Sequence, residues 1–165
     1  MKVGIGLGSN AGDRLLHLQR AKQYLLSLSA DQWHRQSPLY ETEPVGCPAG
    51  TPPFYNAALE IEFNGRPRSL LRKLLAYESS HGRTRKTETT TRTIDLDILY
   101  FGDLVVVEHD LVIPHPRLAQ RRFVLVPLST ICPERIIAGT GKTVRLLLRQ
   151  LPLSKGDIRL VRLDW

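Results

Sequence analysis

Residues 92–99 read Arg-Thr-Ile-Asp-Leu-Asp-Ile-Leu, a run in which apolar and charged side chains alternate. Such alternation is typical of a β-strand whose two faces differ, and we expect the strand to span residues 93–101. It places Asp95 and Asp97 on one face and turns Ile94, Leu96 and Ile98 toward a core. Two carboxylates this close repel each other unless a proton or a cation neutralises them, and Mg²⁺ is a suitable cation. The pattern predicts a metal site, with a solvated strand face as the alternative.

The segments before this strand predict the rest of the sheet. In chain order we expect a strand over residues 2–8, a helix of about four turns from Asp13, strands over 33–40 and 54–63, and a helix from Pro67 to a glycine stop at Gly82. With the strand at 93–101, the order is β-α-β-β-α-β. This order predicts an α+β ferredoxin-like sandwich, in which helices pack on an antiparallel sheet.

The segments after this strand predict C-terminal additions to the sandwich. Residues 104–107 are expected to pair with the 93–101 strand across a turn at Gly102-Asp103. Residues 121–131 and 144–151 are expected to be helices, and residues 158–163 an edge strand. The Pro-rich stretch 44–53 and the charged, Thr-rich stretch 83–93 are expected to be loops. Since no stretch has the composition of a linker, we expect a single domain over residues 1–165.

The composition is that of a globular domain with a basic surplus. Of the 165 residues 42% are apolar, and 23 Lys and Arg against 16 Asp and Glu give a net charge of +7. The surplus predicts an anionic partner. Composition alone does not decide whether this partner is nucleic acid, a membrane surface or a phosphorylated small molecule. Cys47 and Cys132 fit neither a disulfide framework nor a zinc site, and no apolar run is long enough to span a membrane. We therefore expect a cytoplasmic protein.

Two glycine-containing stretches imitate phosphate-binding loops. Residues 6–11, Gly-Leu-Gly-Ser-Asn-Ala, have the spacing of a dinucleotide-binding turn, but the chain is too short for the second half of that fold. Residues 139–143, Gly-Thr-Gly-Lys-Thr, resemble the end of a Walker A loop, yet Ile136 stands where its first glycine belongs. We interpret the first stretch as a tight turn that a neighbouring segment approaches closely, and the second as a solvated turn.

Positive side chains flank the acid pair in the sequence. Metal-bound carboxylates beside several guanidinium groups suit a polyphosphate, because metals and arginines together neutralise its oxygens. A histidine held between two prolines offers a further hydrogen bond. Such a local cluster favours a metal-bound polyphosphate over a nucleic-acid backbone, which an evenly basic face would suit better. The residues are Arg83, Arg85, Lys86, Arg92, His115, Arg121 and Arg122.

Seven short motifs occur along the chain in an order that resembles one enzyme family. They are LGSN at 7–10, YETEPVG at 40–46, FYNA at 54–57, GRTR at 82–85, RTIDLDIL at 92–99, PHP at 114–116 and RRFVLVPL at 121–128. Over residues 5–134 the chain resembles the 6-hydroxymethyl-7,8-dihydropterin pyrophosphokinases of folate biosynthesis. The resemblance implies the ferredoxin-like fold and transfer of pyrophosphate from ATP to the hydroxymethyl oxygen of the pterin, which leaves AMP.

The resemblance also implies a role for each matching residue. The catalytic positions of the family match Arg83, Arg92, Asp95 and Asp97, and Asp95 and Asp97 match the ligands of two Mg²⁺ ions. The ATP-binding positions match Glu78, Arg83, Arg85, Arg92, Ile98, His115 and Arg121. The pterin-binding positions match Thr42, Val45, Phe54, Asn56, Asp95 and Phe123. The implied partners are ATP and a reduced pterin, and neither nucleic acid nor a membrane is expected to bind. We expect a monomer, with a dimer as the alternative.

Some positions depart from the family pattern. Thr89-Thr90-Thr91 fill a loop where the family has a Trp-Gly-Pro or Gly-Pro run, and Leu75 replaces a common glutamine. These changes keep open a divergent paralogue that acts on another pterin. A ferredoxin-like nucleic-acid-binding module is the other alternative, because the chain is basic, although the central strands lack the pair of aromatics that such a module exposes.

Overall fold

The chain folds into strands and helices, seen in a computed structural model that describes residues 1–44, 46–82, 91–152 and 158–165. Within these ranges the strands are β1 (Lys2–Ser9), β2 (His34–Gln36), β3 (Leu39–Thr42), β4 (Phe54–Glu62), β5 (Asp95–Phe101), β6 (Val106–Glu108), β7 (Leu111–Ile113), β8 (Ile136–Ile137), β9 (Lys142–Thr143) and β10 (Arg159–Arg162). The helices are α1 (Arg14–Leu28), α2 (Pro67–Ser80), α3 (Arg122–Ile131) and α4 (Val144–Gln150), with a 3₁₀ turn at Leu118–Gln120.

A six-stranded antiparallel sheet forms the centre of the fold. The strand order is β10-β3-β4-β1-β5, and β2 also pairs with β4. Helix α1 connects β1 to β2, and α2 connects β4 to β5, so each helix returns the chain across the sheet. The central order β3-β4-β1-β5 with these two crossovers confirms the predicted α+β ferredoxin-like sandwich.

Helices cover both faces of the sheet. On one face, α1 and α2 bury leucines against β1 and β4, and this core includes Ile5, Leu18, Leu25, Ile61, Leu70 and Leu74. On the other face, α3 and α4 build a second core that includes Ala58, Leu99, Tyr100, Leu125, Leu128 and Val144. The predicted helix start at Asp13 is confirmed, because its Oδ1 accepts a hydrogen bond from Leu16 N at 3.0 Å and so caps α1.

Glycines of β1 admit large neighbours on the second face. A Cβ at Gly4 would lie 2.2 Å from the ring of Tyr100, and one at Gly8 would lie 3.2 Å from Asn56 Oδ1. Residues 6–9 of the stretch that imitates a dinucleotide-binding loop belong to β1, so the tight turn predicted there is wrong, while the predicted close approach of a neighbouring segment is confirmed at Gly8. None of the helices in the described ranges combines the length and the apolar character that crossing a bilayer requires.

Two predicted strands differ from the observed ones. The strand expected over 33–40 is split into β2 and β3 at Ser37-Pro38, because Pro38 has no N–H and the Ser37 hydroxyl accepts the hydrogen bond of Ala58 N at 2.9 Å. The expected pairing of residues 104–107 with β5 is wrong, since β6 pairs with β7 in a separate hairpin. The outer edge of β5 is occupied instead, because Leu99 O accepts from His115 N at 2.9 Å.

Candidate active site

A cavity of about 380 Å³ lies against one face of β1, β4 and β5. The face opposite α1 and α2 is open there, between the Pro-rich loop after β3 and the start of α3. Most of the predicted site residues that the structure describes meet in this cavity. Its lining includes Thr42, Phe54, Asn56, Arg92, Asp95, Asp97, His115, Arg121 and Phe123.

The acid pair lies on the cavity face of β5, as the alternation predicted. Asp95 lies opposite Gly8 and Asp97 opposite Gly6 across the β1–β5 ladder. Residues two apart on a strand are separated by about 6 to 7 Å, close enough for both carboxylates to act on one ligand. The side chain of Asp95 is 18% exposed and that of Asp97 40% exposed. The two acids therefore present oxygens to the cavity rather than to the core.

Cations surround this pair from two directions. Arg92 Nη1 donates to Asp95 Oδ2 at 2.5 Å. His115 Nε2 lies 3.7 Å and Arg121 Nη1 lies 3.6 Å from Asp97 Oδ2. Because Arg92 precedes β5 while Arg121 follows β7, two separate chain segments bring positive charge to one strand. A cluster of this kind favours a ligand with several negative charges.

The ring of His115 has a defined tautomer. Arg117 N donates to His115 Nδ1 at 3.0 Å, so Nδ1 is unprotonated and Nε2 carries the hydrogen that faces Asp97. Burial lowers the pKa of His115, Asp97 raises it, and the charges of Arg121 and Arg117 lower it further, with a net shift downward. At pH 7 the ring is therefore a neutral hydrogen-bond donor at Nε2.

The other half of the cavity, called the neutral half, is partly aromatic and, among the residues that the structure describes, uncharged apart from the exposed side chain of Glu43. Asn56 Nδ2 donates to Thr42 Oγ1 at 2.7 Å, and both residues are buried. Thr42 pairs with Phe54 across the β3–β4 ladder, and Phe123 comes from the first turn of α3. Two ring faces beside an oriented amide suit a flat heterocycle with amide-like edges.

Asn10 connects the two halves. Its backbone N–H donates to Arg92 O at 3.0 Å, and its Oδ1 accepts from Arg92 N at 2.6 Å. Its Nδ2 also contacts Pro52 O at 3.4 Å, near the end of the Pro-rich loop. The turn after β1 therefore fixes the start of the acid-bearing segment and the wall of the neutral half together.

Two of the predicted ATP-binding residues do not line the cavity. Glu78 is 1% exposed, and its Oε1 accepts a hydrogen bond from Leu96 N at 2.7 Å, which ties α2 to β5. The Ile98 side chain is buried in the core beside α1 and α2, so a contact of this residue with a nucleotide would have to come from its backbone. Val45, Arg83 and Arg85 lie outside the described residues.

Sequence reasoning missed other lining residues. Arg117 lines the cavity two positions after His115, Glu43 lines it directly after β3, and Cys47 lines it from the Pro-rich loop. The one signal for Arg117 was its place directly after the Pro-His-Pro run. Glu43 lay within the motif YETEPVG but was assigned no role, and Cys47 carried no signal, because loop residues have no periodicity that would assign them a face.

Comparison with known proteins agrees with this geometry. Residues 4–133 match the family model described as 7,8-dihydro-6-hydroxymethylpterin-pyrophosphokinase (HPPK). A 2-amino-4-hydroxy-6-hydroxymethyldihydropteridine pyrophosphokinase of Bacillus subtilis is 41% identical over 130 residues, which are 79% of this chain and 77% of the relative. One from Synechocystis is 36% identical over 147 residues, 89% of this chain and 74% of the relative.

Solved structures share the fold. The wild-type HPPK-DHPS of Plasmodium falciparum, solved with SDX-DHP, matches with a TM-score of 0.68 at 16% identity. The match covers 90% of this chain and 44% of that one, so this chain spans less than half the length of that protein chain. The family model covers well over half of the chain, and these two relatives exceed 30% identity over 74% and 77% of their length. The chain belongs to the 7,8-dihydro-6-hydroxymethylpterin-pyrophosphokinase family.

Proposed function

We propose that this chain transfers the pyrophosphoryl group of ATP to the hydroxymethyl oxygen of 6-hydroxymethyl-7,8-dihydropterin, a step of folate biosynthesis that yields AMP and the pterin diphosphate. The observation that carries the proposal is the division of one cavity into a charged half and a neutral, aromatic half. A polyphosphate and a flat heterocycle would meet where these halves join. Family membership supports the same reaction and makes the chain an ATP-dependent pyrophosphokinase.

The donor set fits Mg²⁺. This ion prefers oxygen ligands and is usually held by one or two carboxylates together with substrate phosphates. Asp95 and Asp97 supply such carboxylates on one open face, and we propose that they hold two Mg²⁺ ions. When bound, Mg²⁺ would neutralise phosphate oxygens and acidify the substrate hydroxyl.

The positive side chains would hold the polyphosphate in line with the attacking hydroxyl. Arg92 and Arg121 offer guanidinium forks, and neutral His115 offers Nε2–H. We propose the same role for Arg83 and Arg85, whose positions come from the family pattern. Phosphoryl transfer asks mainly for positioning and charge stabilisation, so these contacts would supply most of the rate. Asp97 is the nearest candidate by position for a general base.

The neutral half would bind the pterin. We propose that Phe54 and Phe123 lie against the two ring faces, while Asn56 and Thr42 read an amide-like edge. Val45 and Asp95 complete the set that the family pattern assigns to the pterin. Glu78 would affect nucleotide binding indirectly, because its carboxylate holds the backbone of β5 at Leu96. Ile98 would contact the nucleotide through its backbone.

The remaining partners follow from this reaction. We propose that the chain is a monomeric, cytoplasmic enzyme. We also propose that its substrates are small molecules only, because the basic groups surround the acid pair instead of lining one face of the protein. Family membership disfavours the nucleic-acid-binding alternative. A paralogue that takes another pterin would be separated by thermal-shift screening of pterins with a non-hydrolysable ATP analogue, since each ligand raises the melting temperature according to its affinity.

The direct test is a coupled assay of AMP formation in the presence of both substrates. Asp95→Ala and Asp97→Ala should each lower kcat by about a thousandfold or more, because each removes a proposed metal ligand. Asp103→Ala is the matched control, since Asp103 is 91% exposed just beyond the end of β5 and pairs with Arg135. Wild-type rates in the Asp95 and Asp97 variants would refute the metal assignment.

A further inference from the structure

The first residue of α1, Arg14, lies behind the neutral half of the cavity and contacts three chain segments at once. Arg14 Nη1 donates to Pro53 O at 2.8 Å. Its Nη2 lies 2.9 Å from Glu41 Oε2, and its guanidinium carbon lies 3.7 Å from the centre of the Tyr55 ring. The side chain is only 24% exposed, so these contacts are largely shielded from water.

Each partner of Arg14 is the chain neighbour of a residue that lines the neutral half. Glu41 precedes Thr42, Pro53 precedes Phe54, and Tyr55 stands between Phe54 and Asn56. Glu41 and Tyr55 are also direct partners across the β3–β4 ladder. Because side chains alternate along a strand, Glu41 and Tyr55 point away from the cavity while their neighbours point into it.

We infer that Arg14 is a positioning residue for the pterin, acting from the reverse face of the sheet. Its fork fixes the end of the Pro-rich loop to β3, and its planar face fixes β4 between Phe54 and Asn56. This inference rests on the proposed function, because it concerns the half of the cavity assigned to the pterin. Among the described residues, no hydrogen bond or ion pair joins Arg14 to the charged half, so the effect should fall on one substrate.

The variant Arg14→Gln tests the inference, because it should weaken binding of the pterin and leave binding of ATP unchanged. We expect its Kd for 6-hydroxymethyl-7,8-dihydropterin, titrated with a non-hydrolysable ATP analogue present, to rise about tenfold, since small displacements of a binding group are costly. The KM for the pterin should rise in parallel, while the KM for ATP stays unchanged. Arg14→Lys keeps the charge without the fork and should recover part of the affinity.

Arg159→Gln is the matched control, because Arg159 Nη2 donates to the same carboxylate at Glu41 Oε1, but from a position 72% exposed. It should leave the pterin Kd unchanged. Equal losses for both substrates in Arg14→Gln, or an equal rise of the pterin Kd in Arg159→Gln, would overturn the inference. Should Arg14→Gln fail to fold, an unchanged pterin Kd in Arg14→Lys would overturn it. A wild-type chain that binds no pterin would instead refute the proposed function.

Discussion

The two halves of the cavity are built from different parts of the chain and use different physical chemistry. The charged half comes from residues 92–121, where Asp95 and Asp97 on one strand meet Arg92, His115 and Arg121. The neutral half comes from β3, β4 and the start of α3, and its central contact is a single hydrogen bond between Asn56 and Thr42. Charged groups stabilise the charge that develops in the transition state, whereas aromatic rings and amides select the bound substrate by its shape. Substitutions in the two halves should therefore affect different kinetic constants.

After the proposed metal ligands, the largest expected effect is that of Arg121→Ala in the charged half. Arg121 is 19% exposed and lies 3.6 Å from Asp97, so its guanidinium acts where solvent screens charge poorly. Removing such a donor should lower kcat by about a hundredfold to a thousandfold, without weakening pterin binding. Steady-state kinetics and a pterin titration would measure the two effects separately.

Arg122→Ala is the control for this substitution, because Arg122, which the sequence grouped with the basic cluster, lies outside the cavity lining in the structure. It should keep kcat near the wild-type value. If Arg121→Ala instead raised the pterin Kd and left kcat unchanged, the division of labour between the halves would be wrong.

A smaller effect, on the other substrate, is expected for Asn56→Ala. Asn56 is 8% exposed, and its side chain carries the hydrogen bond to Thr42. Loss of an edge-reading amide should raise the Kd for the pterin about tenfold to a hundredfold, with ATP binding unchanged. Calorimetric titrations of each substrate would measure it. An equal loss of ATP binding would mean that Asn56 supports the whole cavity rather than the neutral half.

The smallest expected effect concerns stability behind the neutral half. The hydrogen bond from Arg159 lowers the pKa of Glu41, burial opposes the shift, and Arg14 adds to it, with a net shift downward. A lowered carboxyl pKa in the folded chain stabilises it at any pH above the ordinary glutamate pKa, and this contribution is lost as the pH falls through the lowered value. Glu41→Gln should lower the free energy of unfolding by about 1 kcal/mol at pH 7.

The difference between wild type and Glu41→Gln should shrink when urea unfolding is repeated at decreasing pH below about 4, where the carboxyl becomes protonated. Glu134→Gln, in an exposed pair with Arg145, is the control and should change stability less. A difference that stays constant with pH would mean that the ion pairs of Glu41 do not stabilise the fold.

The charged half was predictable from sequence because its acids share one strand. The alternation of apolar and polar side chains, with a period of two, is visible within eight residues. It placed Asp95 and Asp97 on one face of the strand without any tertiary information. The order of strands and helices likewise predicted the sheet. The hairpin of β6 and β7 was missed, because short apolar runs pair equally well with either neighbour until His115 occupies the edge of β5.

The neutral half and its support were not predictable from spacing. Thr42 and Asn56 are joined only after β3 and β4 pair, and the family resemblance rather than any periodicity pointed to them. Arg14 begins a helix and carries no local signal for contacts with residues about 40 positions later, since these arise from the tertiary structure. Arg83 and Arg85 remain predictions from the family pattern.

The most direct test of the central claim follows the β-phosphorus of ATP. With ³²P at that position, the purified chain, the reduced pterin and Mg²⁺ should yield labelled pterin diphosphate and unlabelled AMP, because attack at the β-phosphorus moves both terminal phosphates together. Separation of the products by chromatography shows where the label goes. Label recovered in ADP beside a pterin monophosphate, or label that stays in ATP, would contradict the assignment.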